Sequence, residues 1–396
     1  HRQPLPVLKV LYRNSGQIQE LGGAAKKTLR EQQAAQHATS GDVGLQIRDA
    51  ARQADVNQAE ALFSSLADAP IDQMFNALQP AMQDDINVHR FVFAHRTRGL
   101  ANLLGSDYAY DILRQCVRFC VNHEQNRIAR NYSESPIRAL MPKLLDQYKL
   151  QGASFGTRDP GDAWVDETSV AIYNGPPERS AEIVAAAIAD GIDREVIGEA
   201  ISLASNLLTL RQESDKWRTH GDAAGVHSAD ATNAWRNMAR VSETRHAVAG
   251  LIVAAYHSAA HKPFAGEAEP LQDHRRKIRS TDPASLMAEA EDSARNNDQG
   301  RASAAIAIYG EQGHSVEGVL DSMLRFTVSE DGRLHGEKFY HTVVEEYGTI
   351  RPAFRWRQIV ALARVTASAY GYDRDDQHGH RAPGYEQACR LLGVEV

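Results

Sequence analysis

Cysteine is scarce: three residues in 396, an odd number with no framework of paired spacings, which argues against a disulfide-stapled secreted domain. Long apolar runs are missing too. A bilayer-spanning helix needs about 18 uninterrupted apolar residues, and the most apolar stretch, Ala247 to Ala260, is shorter and contains His257. No Gly-x-Ser-x-Gly elbow, His-Glu-x-x-His helix, EF-hand loop or zinc-finger spacing is present. There is no glycine fingerprint for a nicotinamide or flavin. Gly22 to Thr28 fails as a phosphate loop because Lys26, not glycine, precedes Lys27. A formal net charge of −7 argues against a general nucleic-acid surface. The basic clusters His274-Arg275-Arg276-Lys277 and Arg355-Trp356-Arg357 read as solvated helix faces or loops. The expected partner is a small molecule, with neither nucleic acid nor membrane, and oligomeric state stays open.

What remains is the composition of an ordinary globular protein, 42% apolar and 24% charged, long enough for two or three domains or one repeat array. From Asp42 onward Ala, Leu, Glu and Arg dominate, apolar positions recur at three and four residues, and no strand series is visible. The expected fold class is all-α. Loops are expected at Gly152 to Pro160, Asn174 to Pro177, Lys262 to Pro270 and Arg374 to Gly384, where Gly, Pro and Asp collect.

One plan recurs three times, in Leu66 to Leu78, Ile188 to Ile201 and Tyr309 to Leu324. An Ala-rich segment passes a turn residue (Ala69, Gly191, Gly313) and a capping residue (Asp72, Asp193, Ser315) into a new amphipathic segment. Each copy is followed by a histidine: His89, His227 and His335. Six residues further come His95, Asn233 and His341. A divergent triple helical repeat with a histidine-lined interior explains this. Its expected units are 42–150, 151–270 and 283–372, with an N-terminal arm over 1–41 and a tail over 373–396. The chain starts at His1 rather than Met, so a processed N-terminus is expected; the compartment stays open, with cytoplasm favoured.

Sixteen histidines invite a metal reading, because neutral imidazole suits first-row ions when several donors converge. His257 and His261 share a helix face with His246, but histidines bonded to carbonyls at the edge of a core explain that pattern better. His89, His227 and His335, if equivalent, would each project from its own unit toward one centre and leave open positions for substrate or oxygen. His95 and His341 would orient substrate or move protons, with Glu345, four residues beyond His341, fixing its ring. Further carboxylates that could complete a site are Glu124 beside His123, Glu337 near His335, and Glu346. Trp235-Arg236 and Arg355-Trp356-Arg357 either line an anionic or aromatic pocket or lock adjacent helices.

Cys116-Val-Arg-Phe-Cys120-Val-Asn-His123 loosely resembles the alkylhydroperoxidase and carboxymuconolactone decarboxylase family, whose redox members carry two cysteines followed by histidine, although two residues rather than three separate theirs. That resemblance implies a thiol redox protein; the competing reading is two free cysteines packed as small apolar residues. Asn87-Val-His89-Arg-Phe-Val-Phe-Ala-His95 and Leu334-His335-Gly-Glu337-Lys338-Phe-Tyr-His341 resemble histidine-bearing helices of the questin oxidase-like family. That resemblance implies an all-helical oxygenase acting on aromatic polyketides with NADPH. The combined expectation is a metal-dependent oxidoreductase or oxygenase for a small organic substrate, with His89, His227 and His335 as ligands and iron the favoured ion. A non-catalytic helical-repeat scaffold is the alternative.

Overall fold

The computed structural model describes residues 8, 11, 15, 41–212, 224–266, 269, 271–328, 333–370, 390 and 393. The expected arm and tail, the loop Arg374 to Gly384 and Cys389 fall almost wholly outside them. Among the described residues the protein is all-α, with seventeen α-helices, one short 3-10 turn at Lys262–Phe264 and no strand. Three isolated bridges, such as Gly156 with Asp193, are the only extended pairings among those residues. No described helix is long and apolar enough to cross a membrane.

The chain gathers into two compact units whose limits are not those of the three expected segments. One comprises Arg30–Ser205 and Asp230–Lys262; the other His1–Leu29, Asn206–Ala229 and Pro263–Val396. We call them the ion-pair unit and the histidine-pair unit, after their polar contents.

In the ion-pair unit the helices are α1 (Val43–Arg52), α2 (Val56–Ser64), α3 (Ile71–Met82), α4 (Val88–Leu104), α5 (Ser106–Ala129), α6 (Ile137–Gln147), α7 (Asp162–Asn174) and α8 (Pro177–Ala189). The chain passes between the units within α9 (Arg194–Arg211) and α10 (Ala224–Val241), and α11 (Thr244–Ala260) completes the first of them. Side-chain caps start several helices by accepting orphan first-turn amides. Asp42 accepts from Gly44 N and Leu45 N, Asp55 from Gln58 N, and Asn87 from His89 N. α11 is buried at every residue from His246 to Ala259, the fate of a helix that is apolar all round. It packs against α3, α6, α7 and α8.

The histidine-pair unit adds α12 (Leu271–Arg275), α13 (Pro283–Arg295), α14 (Gln299–Glu311), α15 (Val316–Thr327), α16 (Arg333–Thr349) and α17 (Arg355–Ala369). Here α17 takes the central place, buried from Gln358 to Ala369 and packed against α13, α14, α15 and α16. In both units a tryptophan ring lies on a helical glycine. A Cβ on Gly250 would come within 2.6 Å of the Trp235 ring, and one on Gly310 within 2.5 Å of Trp356. Both tryptophans therefore lock neighbouring helices, the second of the two roles their sequence allowed.

The expected turns are present twice. Gly191 and Gly313 adopt φ of +73° and +76°, and the amides that follow them, Ile192 N and His314 N, reach back to the carbonyls of Ala187 and Tyr309. Asp193 then accepts from Glu195 N at 2.8 Å, and Ser315 from Glu317 N at 3.3 Å. The first copy differs. Pro70 occupies the cap of α3 without a side-chain bond, and Asp72 lies inside the first turn, paired with Arg98 at 2.6 Å. Asp72 is thus no cap.

Candidate functional site

His89, His227 and His335 each fall in the first turn of a helix, α4, α10 and α16 respectively. The structure brings two of them together within the histidine-pair unit. The Nε2 atoms of His227 and His335 are 3.1 Å apart, with ring centroids at 5.0 Å and planes inclined by 61°. His89 belongs to the ion-pair unit, where it is exposed and its ring lies 6.4 Å from that of Phe119. Its Nδ1 contacts Asn87 Oδ1 at 3.2 Å. A carboxamide oxygen only accepts, so Nδ1 is the donor in this contact.

The His227 end is held by local packing. Gly225, two residues earlier, passes so close to Thr209 that a Cβ would sit 2.7 Å from its Cα. Gly225 N donates to Gln212 Oε1 at 3.0 Å, tying the start of α10 to the end of α9. That end is fixed in turn by Arg364 of α17, fully buried, whose guanidinium donates to the carbonyls of Leu210, at 2.5 Å, and Gln212. Burial without a paired carboxylate lowers the Arg364 pKa to about 10, with Glu269 pulling weakly the other way.

Paired nitrogens at 3.1 Å have two chemical options. One Nε2 donates to the other, or both direct lone pairs at a shared cation; two protonated rings in this position repel. On the same helix as His335, His341 Nε2 meets Glu345 Oε1 at 2.9 Å, the i, i+4 contact that the spacing predicts. His95 lies half-buried on α4, and Asn233 is buried on α10, both in the ion-pair unit.

A second polar cluster lies in the ion-pair unit. Donor atoms of Asp85, His123 and Glu124 all fall within 4.8 Å of one another. Glu124 does not serve there as a spare ligand. One of its oxygens accepts from Arg90 and Arg138, the other from Arg127 at 2.8 Å. Burial alone would raise the Glu124 pKa, but Arg127, Arg90 and Arg138 outweigh it and hold the carboxyl below its usual range. Arg90 Nη2 also lies 3.0 Å from His123 Nδ1. Burial first, and Arg90 second, hold His123 in its neutral form. A guanidinium therefore already stands where a cation would have to sit. Glu60 and Arg114 make a similar buried pair at 2.9 Å. Neither network was legible in the sequence, because its members lie 34 and 54 residues apart with no local pattern.

Cys116 and Cys120 are buried on α5, with Cys116 Sγ 3.1 Å from Thr97 Oγ1. Burial pushes their pKa values up to about 12 and about 11, opposite to what a reactive thiolate requires. His261 Nδ1 donates to the His257 carbonyl at 2.9 Å, the carbonyl-bonded arrangement expected of that face.

No protein-family model matches the chain, and no curated protein or solved structure is similar to it.

Proposed function

We propose that this protein is a metal-dependent oxidoreductase acting on a small organic substrate, with His227 and His335 as ligands of one first-row transition ion, iron being favoured. The observation that carries this reading is the 3.1 Å approach of their Nε2 atoms. Two imidazole nitrogens sharing one ion at about 2.1 Å would lie roughly 3 Å apart, so the distance between the pair suits a shared ion. Two protein ligands would leave positions for water, oxygen or substrate, and an ion so held would supply Lewis acidity or one-electron chemistry.

The remaining roles belong to the chain itself. Gly225, Gln212 and Arg364 hold the first turn of α10 in place, so the His227 ring is positioned before any ligand arrives. Glu345 lies 2.9 Å from His341 Nε2 and fixes that ring, so His341 can hand a proton to a substrate oxygen and recover it from solvent. The resemblance of the His89 and His335 segments to the questin oxidase-like family supports an oxidoreductase, and a need for NADPH goes with that resemblance alone.

Metal content of the purified protein tests the reading. Close to one equivalent of iron or another first-row metal is expected. His227→Ala and His335→Ala should each lose it, while Glu124→Gln, if folded, should keep it. A metal-free protein that does not take up Fe(II), or variants with unchanged content, would remove the catalytic reading and leave a helical binding scaffold.

A further inference from the structure

Asn174-Gly175 is the only Asn-Gly pair in the 396 residues. It stands where α7 ends and the extended Gly175-Pro176 link to α8 begins. A glycine after asparagine has no side chain to shield its backbone nitrogen from the asparagine carboxamide. Asn174 is exposed, and as the last residue of α7 it can leave helical geometry by breaking one backbone bond, Gly175 N to Ala171 O at 2.9 Å. Helix ends open in this way far more readily than helix interiors.

A lysine reaches the same carboxamide. Lys262 opens the 3-10 turn that follows α11, and it belongs with Asn174 to the ion-pair unit. Its Nζ donates to Asn174 Oδ1 at 2.8 Å and lies over the Tyr173 ring, 4.1 Å from the centroid. A lysine ammonium is a donor without a lone pair. At this oxygen it therefore draws electron density from Cγ and stabilises the negative charge that forms on Oδ1 when a nucleophile adds.

We propose that Asn174 is a site of spontaneous deamidation, activated by Lys262. Gly175 N gives its proton to hydroxide or water and adds to Asn174 Cγ. The bond from Cγ to Nδ2 then breaks, the nitrogen takes a proton from solvent and leaves as ammonia, and a succinimide ring remains. Water opens that ring at either carbonyl, which gives aspartate or isoaspartate at position 174. Both products put a carboxylate beside Lys262 in place of a neutral amide, and the isoaspartate adds one methylene to the backbone ahead of Pro176. Only water is consumed, so conversion marks the age of the molecule.

Peptide mapping by mass spectrometry of the full-length protein, held in mildly alkaline buffer for increasing times, tests this. The peptide bearing Asn174 should gain the mass of an amide-to-acid exchange before any other asparagine peptide does. Lys262→Met should slow that gain about three- to tenfold, the scale of one hydrogen bond, and Lys262→Arg should restore it. Gly175→Ala should suppress the gain with circular dichroism unchanged. Conversion of other asparagines while Asn174 stays intact would overturn the proposal, as would an unchanged or faster rate in Lys262→Met. Loss of one ammonia with the Asn174 and Lys262 peptides joined would overturn it too, because the lysine nitrogen would then be the group that attacks Cγ.

Discussion

In the ion-pair unit Asp85, His123 and Glu124 collect three donor groups within 4.8 Å; in the histidine-pair unit His227 and His335 collect two nitrogens at 3.1 Å. By residue type the first is the better cation site. By surroundings it is the worse, because Arg90, Arg127 and Arg138 already satisfy Glu124 and Arg90 faces His123. Buried arginines differ between the units in the same sense. Arg90 and Arg114 neutralise carboxylates, whereas Arg364 is held by carbonyl oxygens at the end of α9. A donor cluster is therefore informative only when the charges already bonded to it are counted.

The largest expected effect breaks the ion-pair side. Glu124→Gln takes the carboxylate from the buried Arg90 and leaves Arg127 and Arg138 only their longer contacts with Glu134 and Asp84, and breaking a buried pair by removing one partner costs about 3–5 kcal/mol. Urea denaturation should show that loss. A change below about 1 kcal/mol would mean that the arginines reach water and that the cluster is less closed than described.

Acid provides the next contrast. His246 is buried at the start of α11, and burial, with Arg245 adding to it, lowers its pKa to about 4 from the ordinary 6.5, while Asp42 opposes. The unfolded chain then binds a proton that the folded chain refuses. Stability from this group is complete above pH 6.5 and falls as pH drops toward 4, by about 3 kcal/mol in all. Glu124, with its pKa also depressed, adds a further loss below pH 4.5. Unfolding measured from pH 7 to pH 4 should show the decline, and His246→Leu should make it shallower, the remainder coming from His123 and His261, whose pKa values burial also lowers.

Arg364→Met removes the donor to the Leu210 and Gln212 carbonyls but also relieves a buried charge, so a smaller loss of about 1–3 kcal/mol is expected. The variant should also weaken metal retention, since the end of α9 positions Gly225. Stability lost with retention unchanged would show that Arg364 does not act on the pair. The smallest effect concerns the thiols. Cys116 and Cys120 should resist iodoacetamide in the native protein and react fully once it is unfolded; rapid native labelling would reopen the thiol redox reading.

How far the sequence spoke depended on range. The turns at Gly191 and Gly313 were readable because a glycine followed by a cap two residues later is a local signal, and His341 with Glu345 because four residues make one helical turn. Asp72 misled because Pro70 takes the cap two residues ahead of it. The approach of His227 to His335 spans 108 residues, and only the analogy between repeated segments suggested it. The same analogy included His89, which the structure places in the other unit. Arg364, Arg114 and Glu60 gave no warning, since a buried arginine looks in sequence like any surface one.

The most direct test is to locate the cation. Crystals grown with Fe(II), or with Zn(II) as a stand-in, and measured at the metal's absorption edge should give one anomalous peak within about 2.2 Å of both Nε2 atoms of His227 and His335, and none beside Glu124. A peak among Asp85, His123 and Glu124, or no ordered ion in either unit, would contradict the account.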